Sequence, residues 1–398
     1  MDLTLLFDHR FYQTEEGVVF SLKGYNYAFF EKRYLQVFER VNIAARLASS
    51  PAELGLRLPT EGEKVRIFSL GDWSGAAGYV VNYRRIRARL ARAISRTSAI
   101  IVVVPSLVAS VVIDQLLGTG HPYGVEVVGD PHDVFARGGF RHPLRKVFQW
   151  WVPRELRRQC SNACAAAYVT QDALQRRYPC PNLSIGASDV ELPEEAFVQQ
   201  ARSILRGKHS FSIVTVGTLA HLYKAADVLL DAIAICLGRG LDVNLTIVGD
   251  GRHRLQLEAQ AKRLRIQDRV RFVGTVPAGL AVRSILDSAD LFCLPSRADG
   301  LPRALLEAMA RALPCLGSRV GGVPELLVPE DMVHPGDALA LASKIQEVLT
   351  HPERMAKMSE RNLAKAQQYR EPELLSRRLE FYNVVKDKTS SWLRQGEI

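Results

Sequence analysis

Residues 291–296 form a charge-poor run, the turn Gly300-Leu301-Pro302 follows, and residues 303–312 then carry Leu305, Leu306 and Met309 at helical spacing. This stretch constrains the fold more than any other. An apolar run of that length closed by a Gly/Pro turn predicts a buried strand, and the spacing after it predicts a helix packed over the strand. The strand-turn-helix unit places Asp299 in the loop before the helix and Glu307 inside it, eight residues on. The first amides of a helix lack partners and its dipole favours negative charge, so a phosphate fits over such a loop without a dedicated cation. A carboxylate before the helix can reach a sugar. One further in can accept hydrogen bonds from ribose hydroxyls. On its own, Asp299 is equally an acid placed to favour the dipole.

The same alternation recurs along the chain. Residues 3–7, 41–45, 65–70, 100–104 and 125–128 read as strands, and so do 212–216, 243–248 and 270–274. Helical patterns cover residues 27–39, 82–96, 226–238 and 374–385, while 182–207 has no clear period and reads as an interdomain linker. Strands alternating with helices predict an α/β fold with parallel sheets. A length of 398 residues predicts two domains of about 200 residues each. We place them at 1–190 and 191–374.

An apolar content of 47% with 24% charged residues belongs to a soluble globular chain and argues against disorder. The six cysteines are scattered; Cys160, Cys164 and Cys180 lack zinc spacing, and the set reads as small core residues in a reducing compartment. Residues 1–7 contain Asp2 and no basic region, unlike a signal peptide. The uncharged run 97–113 is broken by Pro105 and falls short of the roughly 20 residues a membrane span requires. A cytoplasmic location is expected.

The net charge of +10 is concentrated: residues 84–158 hold thirteen Lys/Arg against five Asp/Glu. In residues 84–96, Ile86, Leu90, Ala93 and Ile94 share a helical face with arginines around them; in 141–158, Phe148, Trp150 and Trp151 interleave with basic residues. Tryptophans beside cations suit an anionic membrane surface, peripherally bound. No base-reading motif is present, so no nucleic-acid partner is expected. An ordinary solvated helix face is the plainer account.

Three further positions stand at strand ends. Asp130 follows strand 125–128 in a Gly-Asp-Pro turn with His132 two residues later; Gly24 or Gly17 lies in the loop before the helix at Tyr27; and Lys224 precedes the helix at Ala226, after Gly217 and Thr218. Carboxyl strand ends are where open α/β sheets bind ligands.

The string from Asp299 to Glu307 with its tail Gly321-Gly322-Val323-Pro324-Glu325 resembles the signature of the GT4 family of retaining glycosyltransferases, two acids eight residues apart followed by Gly-Gly-x-Pro-Glu. Residues 126–131, 168–170 and 174–179 resemble bacterial GT4 members of exopolysaccharide assembly. The resemblance implies the GT-B fold, two Rossmann-like domains with parallel sheets facing across a cleft and the chain end, about residues 375–398, packing back on the first domain, and transfer of a sugar from a nucleoside diphosphate sugar to a saccharide or lipid-linked acceptor. It implies donor-binding roles for Gly24, Gly217, Thr218, Lys224, Gly300, Leu301 and Glu307. It implies catalytic roles for Asp299 and for Asp130 or His132, between which the sequence does not choose. Two departures stand out. Thr218 replaces the family's arginine, leaving a cation for Arg303 or Arg319 to supply, and Asp299 is one methylene shorter than the usual glutamate. No Asp-x-Asp sits at a strand end, so a metal-independent reaction without cofactor is expected. A sugar-nucleotide epimerase of the same architecture, and a catalytically weakened nucleotide-sugar-binding subunit, are the alternatives.

Overall fold

The computed structural model describes residues 1–50, 57–131, 145–204 and 207–396. It contains two compact units. One comprises Met1–Pro131, Val147–Ala187 and the chain from Leu375 on; the body of the other is Ser188–Leu374.

The first unit is built on β1 (Leu3–Gln13), β2 (Val19–Phe20), β3 (Val41–Ser49), β4 (Val65–Ser69), β5 (Ala99–Val104), β6 (Gly124–Val127), β7 (Ala165–Tyr168) and β8 (Leu183–Gly186). The order is β4-β3-β1-β5-β6-β7-β8, parallel throughout, with β2 an antiparallel appendage of β1. Every residue of β5, Ala-Ile-Ile-Val-Val-Val, is buried, as a strand covered on both faces requires. Period-2 alternation divides the sheet between two cores. Ile100, Val102 and Val104 face a layer that includes Ile86, Leu90, Val112 and Leu156. Ile101 and Val103 face Phe30, Tyr34, Phe381 and Tyr382. On the latter side Glu126 accepts hydrogen bonds from Tyr34 Oη at 2.9 Å and Tyr382 Oη at 3.1 Å, tying the last helix to β6.

The second unit carries β9 (Ser210–Val216), β10 (Asp242–Val248), β11 (Val270–Gly274), β12 (Leu291–Leu294), β13 (Cys315–Ser318) and β14 (Met332–Val333). These are parallel in the order β11-β10-β9-β12-β13-β14. One face packs helices Ala226–Gly238 and Ala338–Leu349; the other packs Leu280–Asp287 and Arg303–Ala310. The strand order reverses between β9 and β12, so the crevice outside their carboxyl ends is the topological switch point.

Several boundaries differ from the sequence reading. β1 runs to Gln13 rather than residue 7, because a register shift between Leu6 and Arg10 lets the polar Asp8-His9-Arg10 pass and Phe11 return to the core. The helix expected over 27–39 ends at Arg33; the Leu35 N–H reaches back to Phe30 O at 3.2 Å, and Tyr34 and Phe38 then turn inward. The basic helix spans Gly75–Ala93 rather than 82–96, since Ser95 Oγ accepts the Thr97 N–H at 3.3 Å and offers the backbone a turn. The expected linker 182–207 contains β8, paired along β7. The last helix, expected over 374–385, is Glu371–Gly396, with Thr389 buried and the Trp392 ring 4.5 Å from that of His121 at a tilt of 51°. Among the described residues no helix is long and apolar enough to cross a membrane.

Candidate functional site

At the switch point of the second unit two loops meet. After β9 the chain passes Gly217 and a single turn Leu222–Lys224 before entering its helix at Ala226. After β12 it passes the fully buried Ser296 and reaches Asp299. Lys224 Nζ donates to Asp299 Oδ2 at 2.7 Å, and Ser296 Oγ donates to the same oxygen at 2.9 Å. Only 17% of the lysine side chain and 9% of the aspartate are exposed. The lysine stem crosses Gly217, where a Cβ would stand 3.2 Å from Lys224 Cγ. Sequence reading named both residues but not the ion pair, since 75 positions separate them.

The Gly321-Gly322 tail has a steric reason. At Gly321, with φ +50°, a Cβ would fall 1.5 Å from the Asp299 carbonyl oxygen; at Gly322 it would fall 2.7 Å from the Gly300 oxygen. The Gly322 N–H donates to Gly300 O at 2.7 Å, so the tail is a backbone buttress for the Asp299 loop. The turn after β10 acts in the same way on the other loop. A Cβ on Gly249 would lie 1.9 Å from Gly217 O and one on Gly251 would lie 2.0 Å from the Ala220 nitrogen, while Leu219 N–H donates to Asp250 O at 2.9 Å.

Helix Arg303–Ala310 begins at Pro302, whose extended backbone ends the loop and which offers no side-chain cap. Its inward residues Leu305, Leu306 and Met309 are fully buried, which fixes the helix on the sheet and its amino end over the crevice. Glu307 lies 3.8 Å from Arg303. Burial pushes the Glu307 carboxyl above its ordinary value, an effect the charges of Arg303 and Arg283 oppose. A carboxylate in a desolvated place, with its cation no nearer than 3.8 Å, has oxygens left to accept a ligand's hydroxyls.

Gly217, Lys224, Asp299, Gly300 and Leu301 thus lie in the two loops at the carboxyl ends of β9 and β12, and Glu307 lies in the helix that follows the second loop. Thr218 shares the β9 loop, exposed, its Oγ1 accepting the Ala220 N–H at 3.1 Å. Gly24 and Asp130 belong to the first unit. Gly24 has φ +80° and open space around it, two residues before the Asn26 side chain that caps helix Tyr27–Arg33 through the Phe29 N–H at 3.0 Å. Asp130 is buried beyond β6, where it pairs with Arg177 and accepts from Tyr178 Oη at 2.8 Å. His132 lies outside the described residues. Ser296 escaped the sequence reading; its signal was a hydroxyl at the end of an otherwise apolar strand.

The two doubly wound units with a phosphate-competent crevice at a switch point define a protein of GT-B fold. Residues 210–351 match the family described as glycosyl transferases group 1. The chain is 25% identical over 315 residues to Protein CapJ of Staphylococcus aureus, covering 79% of this chain and 78% of CapJ. It is 32% identical over 173 residues to the amylovoran biosynthesis glycosyltransferase AmsK of Erwinia amylovora, 41% of this chain and 42% of that protein, so it spans less than half of that relative. The Anabaena protein HepE, solved in complex with UDP, superposes with TM-score 0.64 at 15% identity over 97% of this chain and 100% of its own, a likeness of fold. These matches support a glycosyltransferase of group 1.

Proposed function

We propose that this protein is a retaining glycosyltransferase that moves a hexosyl group from a nucleoside diphosphate sugar to a hydroxyl of a saccharide or lipid-linked acceptor in cell-surface polysaccharide assembly. The observation that carries the reading is the Lys224–Asp299 ion pair at the switch point of the sheet, in the loop that leads into helix Arg303–Ala310, which itself carries Glu307. In this reading Glu307 accepts hydrogen bonds from the ribose, and the backbone of Gly300 and Leu301 with the first helical amides receives the diphosphate. Lys224 meets the charge that develops as the nucleoside diphosphate departs, and Asp299 contacts the donor sugar. Charge placed beforehand where it develops in the transition state lowers the barrier without reorganisation. Lys224 and the amides do this without a divalent cation. Asp130 or His132 serves the acceptor.

The amylovoran role named for AmsK and the UDP found in HepE support the acceptor and donor classes. A peripheral position on an anionic membrane is part of the same proposal. Trp150 is 58% and Trp151 36% exposed, and Arg154 stacks on the Trp150 ring at 4.2 Å. Release of UDP, GDP, ADP and dTDP from a panel of sugar nucleotides, with and without saccharide acceptors, tests the reaction. Glu307→Ala is expected to abolish donor turnover while circular dichroism stays that of the native fold; unchanged turnover would remove Glu307 from the site.

A further inference from the structure

A diphosphate brings at least two negative charges to a site, and Lys224, the cation nearest Gly217, is already neutralised by Asp299 at 2.7 Å. Three further arginines of this unit are also committed. Arg254 pairs with Asp250 at 3.0 Å and Glu258 at 2.8 Å, Arg297 grips Asp227 at 2.7 Å, and Arg303 leans toward Glu307. Arg252 differs. It is exposed in the turn after β10, donating from Nη2 to His221 Nδ1 at 3.1 Å and from Nε to His253 Nε2 at 3.3 Å. Among the described residues no carboxylate pairs with it.

Its position is built rather than incidental. The Leu219 N–H donates to Asp250 O at 2.9 Å and the His253 N–H donates to Leu219 O at 3.1 Å, so Arg252 lies between two backbone bonds that lock the β10 turn onto the loop of residues 217–220. The close approach of Gly251 to Ala220 leaves no room for that turn to slide. His221 comes from the β9 loop, three residues before Lys224, and His253 from the β10 turn, so two imidazoles from adjoining loops hold one guanidinium from both sides. A guanidinium held this way presents its remaining N–H groups to an incoming anion, in the planar fork that matches phosphate.

We propose that Arg252 is a second cation for the donor diphosphate, with His221 and His253 as positioning residues. This rests on the reading of the crevice as the donor site. Arg252 then supplies the charge that Thr218, in the adjoining loop, does not.

The test is equilibrium binding by calorimetry of UDP, GDP, ADP and dTDP, with the matching nucleosides as controls, to the full chain. Arg252→Gln is expected to weaken the preferred diphosphate about 10- to 100-fold, the range for a charged hydrogen bond, and to leave nucleoside binding within about 2-fold. Arg252→Lys keeps the charge but loses the fork and falls between. Adding Thr218→Arg to Arg252→Gln restores diphosphate affinity by returning a cation to the adjoining loop, an outcome that a merely structural role for Arg252 would not give. If the wild-type chain binds a diphosphate and Arg252→Gln binds it equally well, or loses the nucleoside to the same degree, the role of Arg252 is wrong while the donor site stands. If the wild-type chain binds none of the four diphosphates, the donor-site reading falls and this proposal with it.

Discussion

Removing one member of the Lys224–Asp299 pair leaves the other in a place built for two. At 2.7 Å the pair interacts by about 6 kcal/mol at the effective dielectric that suits protein interiors, most of it offset by the desolvation of both ions. Breaking a fully buried pair from one side costs about 3–5 kcal/mol. Here Ser296 still donates to Asp299 at 2.9 Å, and 17% of the lysine side chain remains exposed. The expected cost is therefore about 2 kcal/mol for Lys224→Met and the same for Asp299→Asn. The double variant has no stranded charge, so it should lose about 0–1 kcal/mol rather than the roughly 4 that independent effects would give, a coupling of about 3–4 kcal/mol. For a unit of this size each kcal/mol moves the midpoint about 2–4 °C, which gives shifts of about 4–8 °C for each single variant. Differential scanning calorimetry of wild type, both single variants and the double variant measures the cycle. Shifts that add to within about 0.5 kcal/mol would show that the two side chains do not interact, and the geometry of the site would have to be redrawn.

Glu307→Gln bears on the buried carboxyl directly. Because burial raises the Glu307 pKa, the folded chain holds a proton that the unfolded chain has released once pH passes the ordinary 4.5, so stability falls as pH rises from there through the folded value. The variant should melt higher than wild type at pH 7.5 with the gap closing toward pH 4, and a gap independent of pH would refute this. Gly321→Ala forces the Asp299 backbone away from a Cβ placed 1.5 Å from its oxygen; a displacement of about 1 Å in a reacting constellation costs on the order of 100-fold, so kcat should fall at least that far with native circular dichroism. Flotation with anionic liposomes should weaken when Trp150 and Trp151 become serine and persist with Leu58→Ser, an exposed apolar residue outside the basic segments. Transfer should survive EDTA, measured as nucleoside diphosphate release.

How much the sequence disclosed depends on how local each cause is. The helix Ala226–Gly238 and strand Val270–Gly274 are found where their patterns place them, because apolar spacing and flanking glycines act within a few residues. The loop with Asp299 and the helix with Glu307 were legible for the same reason. The extension of β1 was not, since Asp8, His9 and Arg10 look like a loop until a register shift and the neighbouring β3 carry the strand on. The Lys224–Asp299 pair and the buttressing of Asp299 by Gly321 were hidden for a different reason. Both depend on contacts made across the switch point by segments that are distant or only sterically coupled, and residue type alone carries no distance.

Several features of the second unit have a physical direction in common. Glu307 sits where burial opposes its charge, and Lys224 and Asp299 are nearly withdrawn from water. Gly321, Gly249 and Gly251 adopt positive φ and bring backbone oxygen or nitrogen within reach of backbone. Each is unfavourable or neutral for stability considered alone: an apolar residue in place of the pair is often no worse, and glycine enlarges the entropy of the unfolded chain. All six belong to the loops, and the one helix, that follow β9, β10, β12 and β13. A core under selection for packing alone would have no reason to concentrate them there. A site that must hold charged groups in fixed positions before a ligand arrives does, because groups fixed in advance need not reorganise during the reaction. The concentration of locally unfavourable choices therefore points to the same crevice as the strand order does, through an independent physical route.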